Sequence, residues 1–256
     1  MLSFNEKEMK IFSENFLLSS IWTSAENSAN EKIMILLHGG PEGTKEGPDD
    51  IFVKLAHELA NIGIDTVRFD FQGQGQSEGD YVNTTMTSQR QDFEVIYNKA
   101  IGFGYKKIGM IGESFGASCA LGVFNENRFS VLCLLWPCIY LLDNCFAFLF
   151  EDSNIQQLND LGYIQVGEDR VGPNLLDELK NVDNFEKTIY DINVPTLLIH
   201  GEADEEVPYT QSIKAFNILK EPKKLVLVPE ADHCLRRPQE QAIVLREVRE
   251  WVLKYL

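Results

Sequence analysis

Gly112-Glu113-Ser114-Phe115-Gly116 follows the apolar run Ile108, Met110 and Ile111 and precedes Ala117-Ser118-Cys119-Ala120-Leu121, so it falls where a strand would turn sharply into a helix. A glycine on each side of Ser114 lets the backbone take a strained turn, because a Cβ there would clash with the neighbouring strand or helix. That is the setting of a nucleophile elbow, in which the serine hydroxyl is held out towards substrate. The five-residue string recurs by accident in unrelated chains; its strand-to-helix context is what makes it informative.

A serine hydroxyl is a poor nucleophile until a base takes its proton, and the base must be oriented by an acid. Downstream, Pro195-Thr196-Leu197-Leu198-Ile199-His200 reads as a buried parallel strand, and the loop leaving it, Gly201-Glu202-Ala203-Asp204, offers Asp204 as the acid. Glu202, Glu205 and Glu206 are alternatives on reach alone. After the strand-like Lys224 to Val228 comes Pro229-Glu230-Ala231-Asp232-His233, which offers His233 as the base. Serine, acid and histidine thus follow in chain order, each just past the C-terminal end of a strand.

Two further segments belong with these. His38-Gly39-Gly40 follows the strand Ile33 to Leu37, and Asp70-Phe71-Gln72-Gly73-Gln74-Gly75-Gln76-Ser77 follows the strand Asp65 to Phe69. Together with the order of Ser114, Asp204 and His233, they make the chain resemble an α/β-hydrolase almost end to end. The resemblance implies that the backbone N–H groups of Gly40 and Phe115 receive the negative charge that develops on a substrate carbonyl oxygen. It also implies that Asp70 and Ser77 brace the site, with Gln74 where many relatives carry histidine. His38 is expected to shape the oxyanion loop, His200 to pack at the same rim, and His57 to take no part.

At 256 residues and 44% apolar content, the chain can bury one large core and carry an insertion. Alternating strand-like and helix-like segments from residue 33 onward argue for a mostly parallel central sheet with helices on both faces. A net charge of −16 argues against nucleic acid or an anionic membrane as a partner. The start of the chain lacks the regions of a signal peptide, and no apolar run reaches the roughly 18 residues that span a bilayer, so a cytoplasmic location is expected. Cys119, Cys133 and Cys138 read as inert core thiols, and Cys234 as an ordinary buried thiol. No C-x-x-C pair or histidine cluster suggests a metal, and Gly73, Gly75 and Gly79 lack the spacing of a dinucleotide site, so neither metal nor cofactor is expected.

Residues 9 to 22 suggest an antiparallel hairpin at a sheet edge. Ile51, Leu55, Leu59 and Ile62 fall at helical spacing with Asp49 or Asp50 as N-cap, another helix covers about 87 to 101, Val131 to Trp136 is the sixth strand, and a last helix opens near Pro238. Residues 140–193 exceed what a crossover helix needs and read as a cap inserted after strand six, leaving 1–139 and 194–256 as the hydrolase core. Within the cap, Tyr163 to Val166 and Arg170-Val171 flank Gly167-Glu168-Asp169 like a small hairpin, and Pro173 to Leu179 reads as a short helix. A cap of this kind resembles that of the small cinnamoyl or feruloyl esterases. Phe146, Phe148, Phe150 and Tyr163 are its candidate substrate contacts.

These features predict a serine esterase acting on a small-molecule ester of a short-chain or aromatic acid, with homodimer formation left open. The alternatives are a small peptidase, because His38-Gly39-Gly40-Pro41 resembles the oxyanion segment of prolyl aminopeptidases and of relatives of prolyl oligopeptidase, and a non-catalytic ligand receptor on the same fold. For the peptidase, Glu151, Asp152, Glu168 and Asp169 are candidate partners of a substrate ammonium.

Overall fold

The computed structural model describes every residue except 1–3, 27, 29, 30, 126, 183 and 184, and of residue 144 only the backbone. An eight-stranded sheet runs through the molecule in the order β1 (Phe4–Ser13), β2 (Phe16–Ala25), β4 (Asp65–Phe69), β3 (Lys32–Leu37), β5 (Lys107–Glu113), β6 (Val131–Leu135), β9 (Thr196–Gly201) and β10 (Lys223–Val228). β1 and β2 form the hairpin expected at the sheet edge and pair antiparallel, as do β2 and β4, while every other neighbouring pair is parallel.

The central strands are apolar on both faces because both faces are covered. On β3, Ile33, Ile35 and Leu37 enter one apolar cluster while Met34 and Leu36 enter the other. On β6, Leu132 and Leu134 face the first cluster, and Val131, Cys133 and Leu135 the second, as the two-residue period of a strand requires. α2 (Met86–Gly102), α3 (Phe115–Val123) and α7 (Thr210–Ile218) cover the first face, and α1 (Ile51–Ala60) and α8 (Pro238–Tyr255) cover the second. α2 starts at a reciprocal cap in which the Thr85 hydroxyl accepts from Ser88 N–H and the Ser88 hydroxyl accepts from Thr85 N–H. α1 starts differently from the expectation. Asp50 stands at the N-cap but has a left-handed backbone (φ 60°) and caps nothing with its side chain, while the Asp49 carboxylate turns away to Arg236, 3.2 Å distant.

Between β6 and β9 the chain makes a π-helical turn (Leu141–Cys145), a 3₁₀ turn (Ala147–Phe150), α4 (Asp152–Leu161), the hairpin of β7 (Ile164–Val166) and β8 (Asp169–Val171), α5 (Pro173–Asn181) and α6 (Glu186–Asp191). The expected hairpin and short helix are both present; α4 carries no expectation from the sequence. Leu149, Ile164, Val171, Leu175, Leu176, Leu179 and Ile189 join the apolar cluster that α2 and α3 cover, so these elements share the core of the sheet rather than enclosing one of their own. Cys138 departs from the expectation of a core thiol: it is joined to Cys145 in a disulfide, which ties the π-helical turn to the chain leaving β6. The approach of that turn to the end of β6 is a tertiary event that spacing along the chain does not reveal. Cys119, Cys133 and Cys234 are buried free thiols, and burial pushes their ionisation up. No helix among the described residues is long and apolar enough to cross a membrane.

α3 lies hard against the end of β3 at Gly116, where a Cβ would strike the carbonyl oxygens of Leu37 and His38. Gly116→Ala is expected to force α3 away from the end of β3 and to cost about 3 kcal/mol, as overpacking against rigid backbone does. The midpoint of urea unfolding should fall accordingly.

Candidate active site

β5 ends in the elbow. Ser114 has φ 51° and ψ −121°, a conformation that a non-glycine residue holds only when its surroundings impose it. Those surroundings are hydrogen bonds on both sides of the residue. Ser114 N–H donates to Leu135 O at the end of β6 (3.0 Å), and Ser114 O accepts from Cys138 N–H and Ala117 N–H (both 3.1 Å).

The side chains converge from three loops. His233 Nε2 lies 3.1 Å from Ser114 Oγ, and His233 Nδ1 lies 2.7 Å from Asp204 Oδ2. With a carboxylate facing Nδ1, that nitrogen carries the proton and Nε2 is left to accept from the serine hydroxyl. Asp204 lies almost wholly buried beneath the imidazole. Its Oδ1 accepts from Glu206 N–H (3.0 Å) and Val207 N–H (2.8 Å), and its Oδ2 is shared with His200 Nε2 (3.1 Å). Burial alone would raise its pKa, but the hydrogen bonds from His200, His233 and Val207 hold the carboxyl well below the usual carboxylate range. For His233, burial works to lower the pKa, and the hydrogen bond and charge of Asp204, with Glu206 and Glu113, outweigh it and raise it. Of the alternative acids, Glu206 comes no nearer than 3.9 Å, from an exposed side chain. No hydrogen bond or ion pair joins Glu202 or Glu205 to the imidazole among the described residues.

His38 is fully buried and neutral by the same logic of partners. Its Nε2 accepts from Phe71 N–H (3.1 Å), so Nδ1 carries the proton and donates to Gly39 O (2.6 Å). Burial lowers its pKa despite the nearby carboxylates. Pinning Gly39 O orients the planar peptide that follows, and the N–H of Gly40 points opposite to that carbonyl. Among the described residues nothing accepts from Gly40 N–H or from Phe115 N–H in the first turn of α3. Both are therefore free for a ligand. Gly40 is tightly backed: a Cβ there would stand 3.0 Å from Tyr81 Oη and 3.1 Å from Gln74 Nε2. The Asp70 turn braces this loop from beneath. Asp70 is fully buried and takes hydrogen bonds from Lys45 N–H (2.6 Å), Lys45 Nζ (2.7 Å) and Gln76 N–H (2.9 Å), while Ser77 Oγ donates to Asp70 O (2.6 Å).

Ser114 and His233 open on a cleft of about 470 Å³. Phe146 and Phe148 line it, with Pro41, Thr44, Val166, Val207 and Arg236. Phe146 packs edge-on against Phe115, ring centroids 4.8 Å apart. Phe150 and Tyr163 do not line the cleft, contrary to expectation. Phe150 packs on the core with Lys180 5.9 Å above its ring, and Tyr163 lies under Arg170 at 5.5 Å. An aromatic-rich stretch shows that rings will be buried, but the turn geometry decides which of them meet the cleft. Arg236, Val207 and Lys45 were beyond sequence reasoning, since nothing in their local pattern sets them apart; His200 packs at the rim as expected, and its bond to Asp204 is what the sequence did not show. A second cavity of about 530 Å³ adjoins the cleft through Glu42 and Thr44 and includes Gln74, Glu168 and Asp169; Glu151 and Asp152 lie outside both. No group of His, Cys, Asp or Glu side chains suited to a metal ion occurs among the described residues.

A family model described as the prolyl oligopeptidase family matches residues 78–256. The chain belongs to the prolyl oligopeptidase family. Among curated relatives, the uncharacterised protein YfhR from Escherichia coli is 28% identical over 194 residues, covering 75% of this chain and 61% of its own length. The lysophosphatidylserine lipase ABHD12 from Danio rerio is 25% identical over 209 residues, covering 80% of this chain and 51% of its own. The chain thus spans between about half and three-fifths of the length of these two relatives. Est1E from Butyrivibrio proteoclasticus, solved with ferulic acid bound, superposes with a TM-score of 0.82 at 22% identity over 96% of this chain and 98% of its own. A putative hydrolase from Agrobacterium vitis superposes with a TM-score of 0.79 at 19% identity over 98% and 99%. These likenesses establish the α/β-hydrolase fold for this member of the family.

A raised His233 pKa means that the proton persists to higher pH, so the neutral imidazole that can accept from Ser114 forms only above it. The rate of Ser114 labelling by a fluorophosphonate is therefore expected to rise with pH along a single histidine limb. Asp204→Asn removes the hydrogen bond and charge that raise this pKa and leaves the burial that lowers it. The limb should then move to lower pH while the plateau falls, which a pH–rate profile of labelling measures.

Proposed function

We propose that this protein is a serine hydrolase that cleaves carboxylic esters of short-chain or aromatic acids through an acyl-enzyme on Ser114. The observation that carries this reading is the continuous path from Ser114 Oγ to His233 Nε2 and from His233 Nδ1 to Asp204 Oδ2, opening on a cleft. His233 takes the hydroxyl proton as Ser114 Oγ bonds to the ester carbonyl carbon, and the carbonyl oxygen becomes an oxyanion received by Gly40 N–H and Phe115 N–H. Collapse of this intermediate breaks the bond to the alkoxy oxygen, which leaves with the proton from His233. Water, deprotonated by the same imidazole, then releases the acid and restores Ser114. Asp204 stays ionised throughout and stabilises the imidazolium.

Phe146, Phe148, Val166 and Val207 offer the acyl group an apolar wall, and a cleft of about 470 Å³ suits a short or aromatic acyl group better than a long chain. The ferulic acid bound by Est1E supports the aromatic version of this reading, on a similar fold. A peptidase is the second reading, favoured by the family match and by the carboxylates of Glu42, Glu168 and Asp169 beside the cleft, which could receive a substrate ammonium.

Ser114→Ala, shown folded by circular dichroism, is expected to lose about 10⁴-fold or more in kcat on p-nitrophenyl esters. A variant that kept a tenth of the rate would overturn the nucleophile assignment. In a panel of p-nitrophenyl esters and aminoacyl-p-nitroanilides, turnover should favour the esters and drop steeply for acyl chains beyond about eight carbons. Phe146→Ala or Phe148→Ala should change the preference between short aliphatic and aromatic esters by roughly fivefold. Faster cleavage of the anilides would select the peptidase, and labelling or binding without turnover would select a receptor.

A further inference from the structure

Glu113, the first of the two variable residues of the elbow string, is bound at both carboxylate oxygens. Its side chain is buried at the cleft wall, with Oε1 accepting from Gly39 N–H at 2.6 Å and Oε2 accepting from Trp136 Nε1–H at 2.9 Å. Both partners are donors, so both oxygens must accept, and only a carboxylate offers two acceptors in this shape. The first bond crosses from the elbow to the oxyanion loop. Gly39 is then held at its N–H by Glu113 and at its carbonyl by His38, which together fix the peptide that carries Gly40 N–H. The second bond holds Trp136, whose ring meets the His233 imidazole edge-on at 6.4 Å.

We propose that Glu113 is a positioning residue of this site: its carboxylate holds the oxyanion loop at a set distance from Ser114 and holds the Trp136 ring that meets the His233 imidazole. The proposal rests on Ser114 being the nucleophile. Besides Glu113, the groups facing the imidazole are Asp204 and Glu206, with the buried thiol of Cys234 next in the chain. Glu113 itself is also faced by His38. An interaction that aims an oxyanion donor acts on the transition state and leaves substrate binding alone, so its loss appears in kcat.

Four variants separate reach, charge and bonding pattern. Glu113→Gln keeps the shape but turns an NH₂ against one of two N–H donors, so kcat should fall about thirtyfold with KM within about threefold of the parent. The histidine limb of kcat/KM should move to lower pH, because a charge that raises the His233 pKa is gone. Glu113→Asp keeps the charge but is too short to bridge both donors; kcat should fall while the limb stays in place. Trp136→Phe removes the competing indole donor, so in the double variant the Gln amide oxygen is free for Gly39 N–H. The double variant should regain about tenfold over Glu113→Gln and approach Trp136→Phe alone, a coupling that mere packing would not produce.

Circular dichroism establishes folding of each variant, and if Glu113→Gln alone does not fold, Glu113→Asp and the double variant decide. A folded Glu113→Gln with kcat within about threefold of the parent and an unmoved limb would overturn the proposal, as would a double variant showing no recovery. Ser114→Ala is assayed alongside. If that variant stays active, the functional reading fails; if it is inactive while Glu113→Gln is fully active, only the role of Glu113 falls.

Discussion

The close approach of α3 to the end of β3 sets everything above it. Gly116 lets the first turn of the helix lie against the Leu37 and His38 carbonyls with no side chain between. This brings the loop of His38 to Gly40 within reach of the elbow, and it is why a carboxylate at position 113 can grip a backbone N–H at position 39. The positive φ of Ser114 is the local cost of that geometry, offset by hydrogen bonds to Leu135 and Cys138 at the neighbouring strand end.

Three buried carboxylates, Asp70, Glu113 and Asp204, stand at or just past the C-terminal ends of β4, β5 and β9. Taking a carboxylate out of water costs several kcal/mol unless donors replace the lost hydration. Each has them: Lys45 and Gln76 for Asp70, Gly39 and Trp136 for Glu113, and His200, His233, Glu206 N–H and Val207 N–H for Asp204. In every case at least one donor comes from another loop, so each charge knits separate loops into one rim. His200 exemplifies this economy. Its Nδ1 lies 2.7 Å from the Ser212 hydroxyl on α7, and its Nε2 is divided between Asp204 and Val207 O, so the helix, the strand end and the acid are held as a unit.

Much of this was legible along the chain. The strand-to-helix setting of Ser114, the continuous apolar runs of β3 and β6, the edge hairpin and the small hairpin of β7 and β8 all follow from local patterns. Ser114, Asp204 and His233 could be singled out because strand ends in a parallel sheet share one side, so chain order already implies proximity. Phe150 and Tyr163 could not be separated from Phe146 and Phe148, because a 3₁₀ turn and a hairpin in an irregular insertion present their rings by packing rather than by period. Cys138 departs from expectation for the same reason: its partner Cys145 returns to it through the irregular turn that precedes Phe146, which packs on Phe115.

The sequence by itself determined most of the order of strands and helices, though not α4, α6 or α7, and the residue types able to do hydrolytic chemistry, because burial period, glycine placement and loop position are local quantities. Only the tertiary structure decided which donors meet which charges: that Glu113 faces Gly39 and Trp136, that His200 shares Asp204, that Lys45 is buried against Asp70. Except for His200 and Asp204, four residues apart across a loop, those meetings join residues far apart in the chain. A buried charge chooses its partners by distance and direction in space, and neither is written in the spacing of residues.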